Sequence, residues 1–137
     1  VRMSQLNDMN PNSPCPCGTG KPYPDCCGRF IEGTGVPATA EALMRSRYTA
    51  YTLGREDYLS ATWHPTTRRQ DLALDENVKW LELKIVRVRE GGPQDKEGLV
   101  EFVARYKIGG RAHRMQETSR FVRRNGRWFY VNGEATP

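Results

Sequence analysis

Residues 98–133 read GLVEFVARYKIGGRAHRMQETSRFVRRNGRWFYVNG, and they decide the fold. Val100, Phe102, Ala104, Tyr106 and Ile108 alternate onto one face, which is the period of a half-buried strand. Gly109-Gly110 then reads as a hairpin turn. Over 111–123, His113, Met115, Glu117, Ser119 and Phe121 share a face. Asn125-Gly126 is the strongest hairpin signal in the chain. Residues 127–132 put Trp128 and Tyr130 on one face and Phe129 and Val131 on the other. Upstream, residues 78–90 also repeat with period two, but their apolar phase changes midway, which predicts a bulge near Lys84. Gly91-Gly92-Pro93 opens the loop that follows. Four strands joined by short turns predict an antiparallel meander.

Before the strands the period is helical. Thr39 is placed to cap a helix with Glu41 in its first turn. Met44, Tyr48 and Tyr51 form its apolar stripe, with Leu43 beside it, and Gly54 ends it. A second short helix is expected from about Glu56 to Trp63, stopped by Pro65. Residues 66–77 are weakly helical, with one or two turns expected around Arg69 to Leu74. The fold class is therefore α+β: two to three N-terminal helices packed on a curved, cone-like, four-stranded antiparallel sheet.

The chain has 137 residues, enough for one main domain and a small appendage. Hydrophobic residues make up 37%, so the core is compact, and 13 aromatics make it bulky. No apolar run approaches the ~20 residues of a membrane span. Residues 1–14 contain no apolar segment that would serve as a secretory signal, so a disordered tail and a cytoplasmic location are expected.

All four cysteines fall between Cys15 and Cys27, in the stretch CPCGTGKPYPDCCG. Cys15 and Cys17 are one residue apart, and Cys26 and Cys27 are adjacent after eight intervening residues. Pairing near neighbours would form strained rings, and a reducing compartment disfavours the crossed disulfides that remain open. Four thiolates converging on one cation fit better, with Gly18 and Gly20 free to turn the chain. Zinc suits four soft ligands in a tetrahedron, with iron as the other metal to consider, and a closed set of four sulfurs makes the site structural. Four thiolates and a divalent ion leave this segment negative, because the side chains of 1–34 otherwise sum to zero. Residues 35–137 carry the whole net charge of +5, so the two parts attract.

Cys15, Cys17, Cys26 and Cys27, with Gly18, Gly20, Lys21 and Tyr23, resemble the SEC-C motif, the zinc knuckle at the C-terminal tail of the SecA motor. The resemblance implies one structural zinc and a protein partner for the knuckle. The SecA knuckle docks on acidic SecB through lysines, whereas Pro22, Pro24 and Asp25 stand in that stretch here, so weak or no SecB binding is expected. The order of helices and strands resembles the nuclear-transport-factor-2-like cone. MRSRYTAY (44–51), DYLSATWHP (57–65), FVARY (102–106), SRF (119–121) and GRWFYVNG (126–133) are similar to the bacterial YchJ-type family, which joins both parts and carries no established activity across. The implied organisation is a tail over 1–14, a knuckle and linker over 15–34, and the cone domain over 35–137. The knuckle, with almost no core of its own, is expected to melt separately from the cone.

Cones of this kind hold a pocket between the long helix and the sheet. Its candidate residues are Tyr48, Tyr51, Tyr58, Trp63, His64, Met115, Glu117 and Ser119. Glu117 sits in mid-strand among apolar neighbours and needs a cation, with Arg45 and Arg47 the nearest in sequence logic. Seven arginines crowd 105–127; Arg114, Arg120 and Arg124 fall opposite Glu117, on an outer basic face that is either a solvated sheet surface or a phosphate-binding stripe. There is no Ser-His-Asp set, no phosphate-cradling glycine loop and no cofactor fingerprint, so catalysis is not the leading reading. The leading reading is a zinc-binding adaptor or binding module. The alternatives are a small-molecule enzyme or ligand-binding protein built around Glu117, and a nucleic-acid-associated protein using the arginine face.

Overall fold

In the computed structural model, which describes residues 13–69, 72 and 74–136, the chain builds helices first and then a sheet. A 3₁₀ turn at Tyr23–Asp25 precedes helix α1 (Cys27–Ile31), the long helix α2 (Ala40–Leu53) and the short helix α3 (Glu56–Ala61). Strands β1 (Val78–Glu90), β2 (Glu97–Ile108), β3 (Arg111–Arg124) and β4 (Arg127–Ala135) follow in the order β1-β2-β3-β4, all antiparallel. This is the α+β architecture the periodicity predicts.

Local chemistry sets the boundaries. The Thr39 hydroxyl accepts the Ala42 amide at 3.0 Å, and Gly54 closes α2 at φ 70°. The α3 helix ends at Ala61, two residues before the expected Trp63, because the chain leaves it to run beside the edge strand. The Tyr130 amide donates to Thr62 O and the His64 amide to Tyr130 O, each at 2.8 Å, which covers part of the open edge of β4. Among the described residues of 66–77 no helix forms; Gln70, Asp71 and Ala73, in the middle of the helical turns expected there, lie outside the described residues.

The β1 phase change has two bulges behind it, one between Trp80 and Glu82 and one between Ile85 and Arg87, flanking Lys84. A third interrupts β3–β4 between Arg120 and Phe121. Bulges sharpen twist and bend the ladder, and here they curl the sheet about α2. Leu43, Met44 and Tyr48 of α2 pack with Leu83, Val100, Phe102, Ala104, Phe121 and Trp128 in the main core. The close approach at the start of α2 depends on glycine. A Cβ on Gly98 would sit 2.5 Å from Gly91 Cα and 3.2 Å from Ala40 Cβ.

The knuckle does not stand apart. Its cysteines share a second core with Ile31, and with Ala50 of α2 and Leu59 of α3. Arg45 donates to Cys17 O at 2.7 Å, and Arg55 pairs with Glu32 at 2.9 Å. The expected charge attraction thus takes the form of two specific contacts, and the knuckle shares a buried core with the cone domain. Of the tail expected to be disordered, residues 1–12 lie outside the described residues, while Pro14 bridges Pro22 and Ser13 O accepts the Tyr23 amide. Trp128 pins the linker by donating from Nε1 to Ala38 O at 3.1 Å. Among the described residues no helix is long and apolar enough to cross a membrane.

Candidate metal centre and cone cavity

The knuckle begins as a hairpin. Cys15 N–H donates to Lys21 O at 2.7 Å, and Gly18 and Gly20 take φ of 91° and 88°. The 3₁₀ turn then delivers Cys26 as the residue preceding α1 and Cys27 as its first residue. The four thiols are free and buried, and their sulfurs all lie within 4.8 Å of one another. The edge of a tetrahedron of four thiolates around one ion is ~3.8 Å, from a metal–sulfur bond of ~2.3 Å. Cys17 Sγ and Cys26 Sγ are 3.6 Å apart, so the set fits a metal without large movement.

Electrostatics points the same way. Hydrogen bonds from the Cys17 and Cys27 thiols pull the Cys15 thiol down to about 3, and the same contacts push Cys27 upward. The cluster thus favours one thiolate, with the other thiols donating to it. Two hydroxyls attend the sulfurs: Thr49 Oγ1 lies 3.6 Å from Cys15 Sγ, and Thr19 Oγ1 3.1 Å from Cys26 Sγ. Thr49 belongs to α2, so a ligand of the knuckle is fastened to the helix that also lines the cone.

On the opposite side of α2, a cavity of about 260 Å³ opens between the helix and the sheet. Met44, Arg47, Tyr48 and Tyr51 wall it from α2, and Trp80, Phe102, Ala104, Met115, Glu117, Ser119 and Tyr130 from the strands. Tyr48, Tyr51, Met115, Glu117 and Ser119, expected in the pocket from sequence, are among these. Tyr58, Trp63 and His64 are not. Tyr58 turns its hydroxyl to Ser46 at 2.7 Å, between the two cores. Trp63 packs behind Arg47 and edge-on to Tyr130. Its indole N–H is buried without an acceptor among the described residues. His64 Nδ1 sits 2.8 Å from Thr66 Oγ1 at the surface.

The expected Glu117–Arg pair does not form. Arg45 binds Glu41 and Cys17 O instead. Arg47 directs Nη1 to Leu59 O at 2.8 Å and to Thr62 Oγ1 at 2.7 Å. Its guanidinium lies 4.5 Å over the Tyr130 ring and 5.2 Å over Trp63. Although only 3% exposed, Arg47 has no carboxylate at ion-pair distance among the described residues. Burial lowers its pKa, and the phenols of Tyr51, Tyr130 and Tyr58 partly restore it. Burial raises Glu117 and Tyr130 and pushes Tyr48 to about 12. The phenols therefore stay neutral at pH 7. A Cβ on Gly133 would lie 3.0 Å from Glu117 Oε1 and 3.3 Å from both Ser119 Oγ and Tyr130 OH, so three polar groups converge on one spot of the wall.

The sequence alone suggests Arg47 only as a counter-ion. The available signal was its spacing, since 44, 47, 48 and 51 are one helical stripe with an arginine inside it. On the outer face, Arg87, Arg105 and Arg120 lie within 4.0 Å of Glu101, Glu82 and Glu97 respectively, so acidic residues are interleaved with the basic stripe.

A curved-sheet cone with a tetracysteine knuckle seated on its helix defines a class, the nuclear-transport-factor-2-like proteins that carry a SEC-C motif. The family described as "YchJ, middle NTF2-like domain" matches residues 39–133, and the SEC-C motif matches 12–29. The chain belongs to this YchJ-like family, whose relatives carry the name UPF0225. A UPF0225 protein from Chromobacterium violaceum is 58% identical, over 87% of this chain and 90% of its own length. One from Ralstonia nicotianae is 51% identical, over 92% and 94%. Among solved structures, a SEC-C motif containing protein from Rhodopseudomonas palustris is similar at 39% identity with TM-score 0.81, covering 91% of this chain and all of that one. Another, from Psychrobacter arcticus, is similar at 25% identity with TM-score 0.73, covering 93% and 85%.

Proposed function

We propose that the chain is a small-molecule binding module in which one structural zinc, held by Cys15, Cys17, Cys26 and Cys27, braces the wall of a ligand cavity. The observation that carries this reading is the position of α2. One of its faces meets the buried sulfurs through Thr49 and Ala50, and another lines the cavity through Met44, Arg47, Tyr48 and Tyr51. Four soft sulfurs in a closed set favour zinc and leave no open coordination position for chemistry. Among the three functions considered from sequence, the ligand-binding reading gains most from the cavity, while the glutamates interleaved with the arginine face weaken the nucleic-acid reading.

The test joins elemental analysis to a fragment screen on the zinc-loaded protein, read by amide shifts. One zinc per chain is expected, with hits that move Tyr48, Trp80, Glu117 and Ser119. Absence of zinc, or hits that map only to the outer sheet face, would refute it.

A protein partner at the knuckle meets exposed residues rather than the buried cysteines, chief among them the loop Gly18 to Lys21. That loop offers a single lysine, so SecB is expected to bind more weakly than micromolar. Tighter SecB binding abolished by Lys21→Ala would restore the adaptor reading.

A further inference from the structure

From Arg47 and the walls around it, we infer that the cone cavity takes a small monoanionic carboxylate with a flat apolar body, its carboxylate anchored on Arg47. The inference rests on the reading of this cavity as the binding site and goes on to name the ligand's charge and shape.

The anchor is a buried cation that the described residues leave without a counter-charge. Arg47 Nη1 donates to Leu59 O and Thr62 Oγ1, and the guanidinium also meets the Tyr51 hydroxyl, so these partners are all neutral acceptors. A guanidinium carries five N–H donors in a fixed fork whose geometry matches a carboxylate. A buried charge of this kind is costly unless something compensates it. Two aromatic faces, Tyr130 and Trp63, supply part of that compensation. The Tyr48 and Tyr130 phenols are neutral, and Glu117, the one carboxyl on the wall, is shifted upward by burial and makes no ion pair with Arg47. The cavity thus presents a buried positive charge and hydroxyl donors, with no carboxylate at ion-pair distance of Arg47 among the described residues to serve as its counter-charge. An entering carboxylate supplies it.

The rest of the wall defines the body. Tyr48, Trp80 and Phe102 offer aromatic surface, and Met44 and Met115 offer adaptable thioethers. At about 260 Å³ the cavity lies just under the ordinary ligand-pocket range of roughly 300–1,000 Å³. That space suits a single ring with a short substituent and excludes a nucleotide. The spot where Glu117, Ser119 and Tyr130 converge beside Gly133 can read one polar substituent on the ring.

The experiment titrates the full-length, metal-loaded chain with benzoate, benzamide and benzylamine, read by amide shifts of the cavity residues. These probes share a ring and differ in charge. Benzoate is expected to bind at Tyr48, Glu117, Ser119 and Tyr130, with benzamide about ten-fold weaker or worse and benzylamine weakest, the difference a charge-assisted hydrogen bond makes. In Arg47→Gln the preference for benzoate over benzamide should vanish. Because that variant loses contacts to α3 and can unfold, Met115→Trp serves as a second arm. It fills the cavity while leaving Arg47 in place, and should abolish benzoate binding. If benzamide or benzylamine binds at these residues as well as benzoate does, the charge assignment fails and the cavity reading stands. If no probe moves these residues, or Met115→Trp binds benzoate unchanged, both fail.

Discussion

Arg47 and Glu117 line one cavity and do not pair. Arg47 comes from α2 with Nη1 committed to Leu59 O and Thr62 Oγ1, while Glu117 comes from mid-β3 and converges with Ser119 and Tyr130 on Gly133. Arg47 is held from the α3 side of the cone, while Glu117 stands near Ser119 and Tyr130 on the sheet side. The space left between them is what makes a binding site conceivable, since a closed ion pair would have filled it.

Because the two are independent, Glu117→Gln is expected to fold, while Arg47→Met is expected to cost at least ~2 kcal/mol by stranding Leu59 O and Thr62 Oγ1. Their coupling in a double-mutant cycle should stay below about 0.5 kcal/mol. Urea denaturation of both single variants and the double variant measures it. A coupling well above 1 kcal/mol would mean that the two groups pair in solution.

Glu117 also predicts a pH dependence. Burial raises its folded-state pKa above the ordinary 4.5. Between 4.5 and the raised value the folded state binds more protons than the unfolded state, so this group's contribution falls as pH rises through that window and is flat above it. Glu117→Gln lacks the slope. Wild type should therefore lose stability relative to the variant between pH 4 and pH 7, measured by parallel urea melts; a relative gain would contradict the burial argument.

Removing the metal should loosen more than the knuckle. Cys15, Cys17, Cys26 and Cys27 pack with Ala50 and Leu59, so stripping the ion is expected to raise hydrogen exchange over 13–32 and at those residues of α2 and α3. The strands β2 to β4 have a separate core and should stay protected. Exchange mass spectrometry with and without chelator tests this, and uniform loss of protection across the sheet would show one cooperative unit.

Thr49→Val keeps the shape of a fully buried side chain and removes the hydroxyl 3.6 Å from Cys15 Sγ. Groups that orient metal ligands contribute roughly 10–100-fold to affinity. The variant should release its ion to a competing chelator at least about ten-fold more readily, with unchanged circular dichroism. Equal release would place Thr49 in packing alone.

Gly98→Ala places a methyl where Gly91 Cα already stands, 2.5 Å away, at the entry to α2. Backbone on both sides cannot yield cheaply, so a loss of ~1–3 kcal/mol is expected. Thermal denaturation reads it directly, and a variant as stable as wild type would show that the β1–β2 loop moves freely.

Features that depend on near neighbours are legible in the residues alone. Alternation over 98–133, the Asn125-Gly126 turn, the Thr39 cap and the Gly54 stop are local properties, and each element appears where its pattern puts it. The cysteine cluster was legible for the same reason, because its four thiols lie within a short stretch of chain and are brought together by two tight turns. Tertiary structure decided the rest. No local rule could tell Arg47 to bind Leu59 O rather than Glu117, because that choice rests on where α3 and β4 lie relative to α2. The same holds for Tyr58, Trp63 and His64. They follow the wall-forming helix closely in sequence, yet the chain's turn along β4 carries them behind or away from the cavity. The seating of the knuckle on Ala50 and Leu59 likewise comes from long-range burial, since α2 has one face for the sheet and another left to cover, and the cysteines cover it.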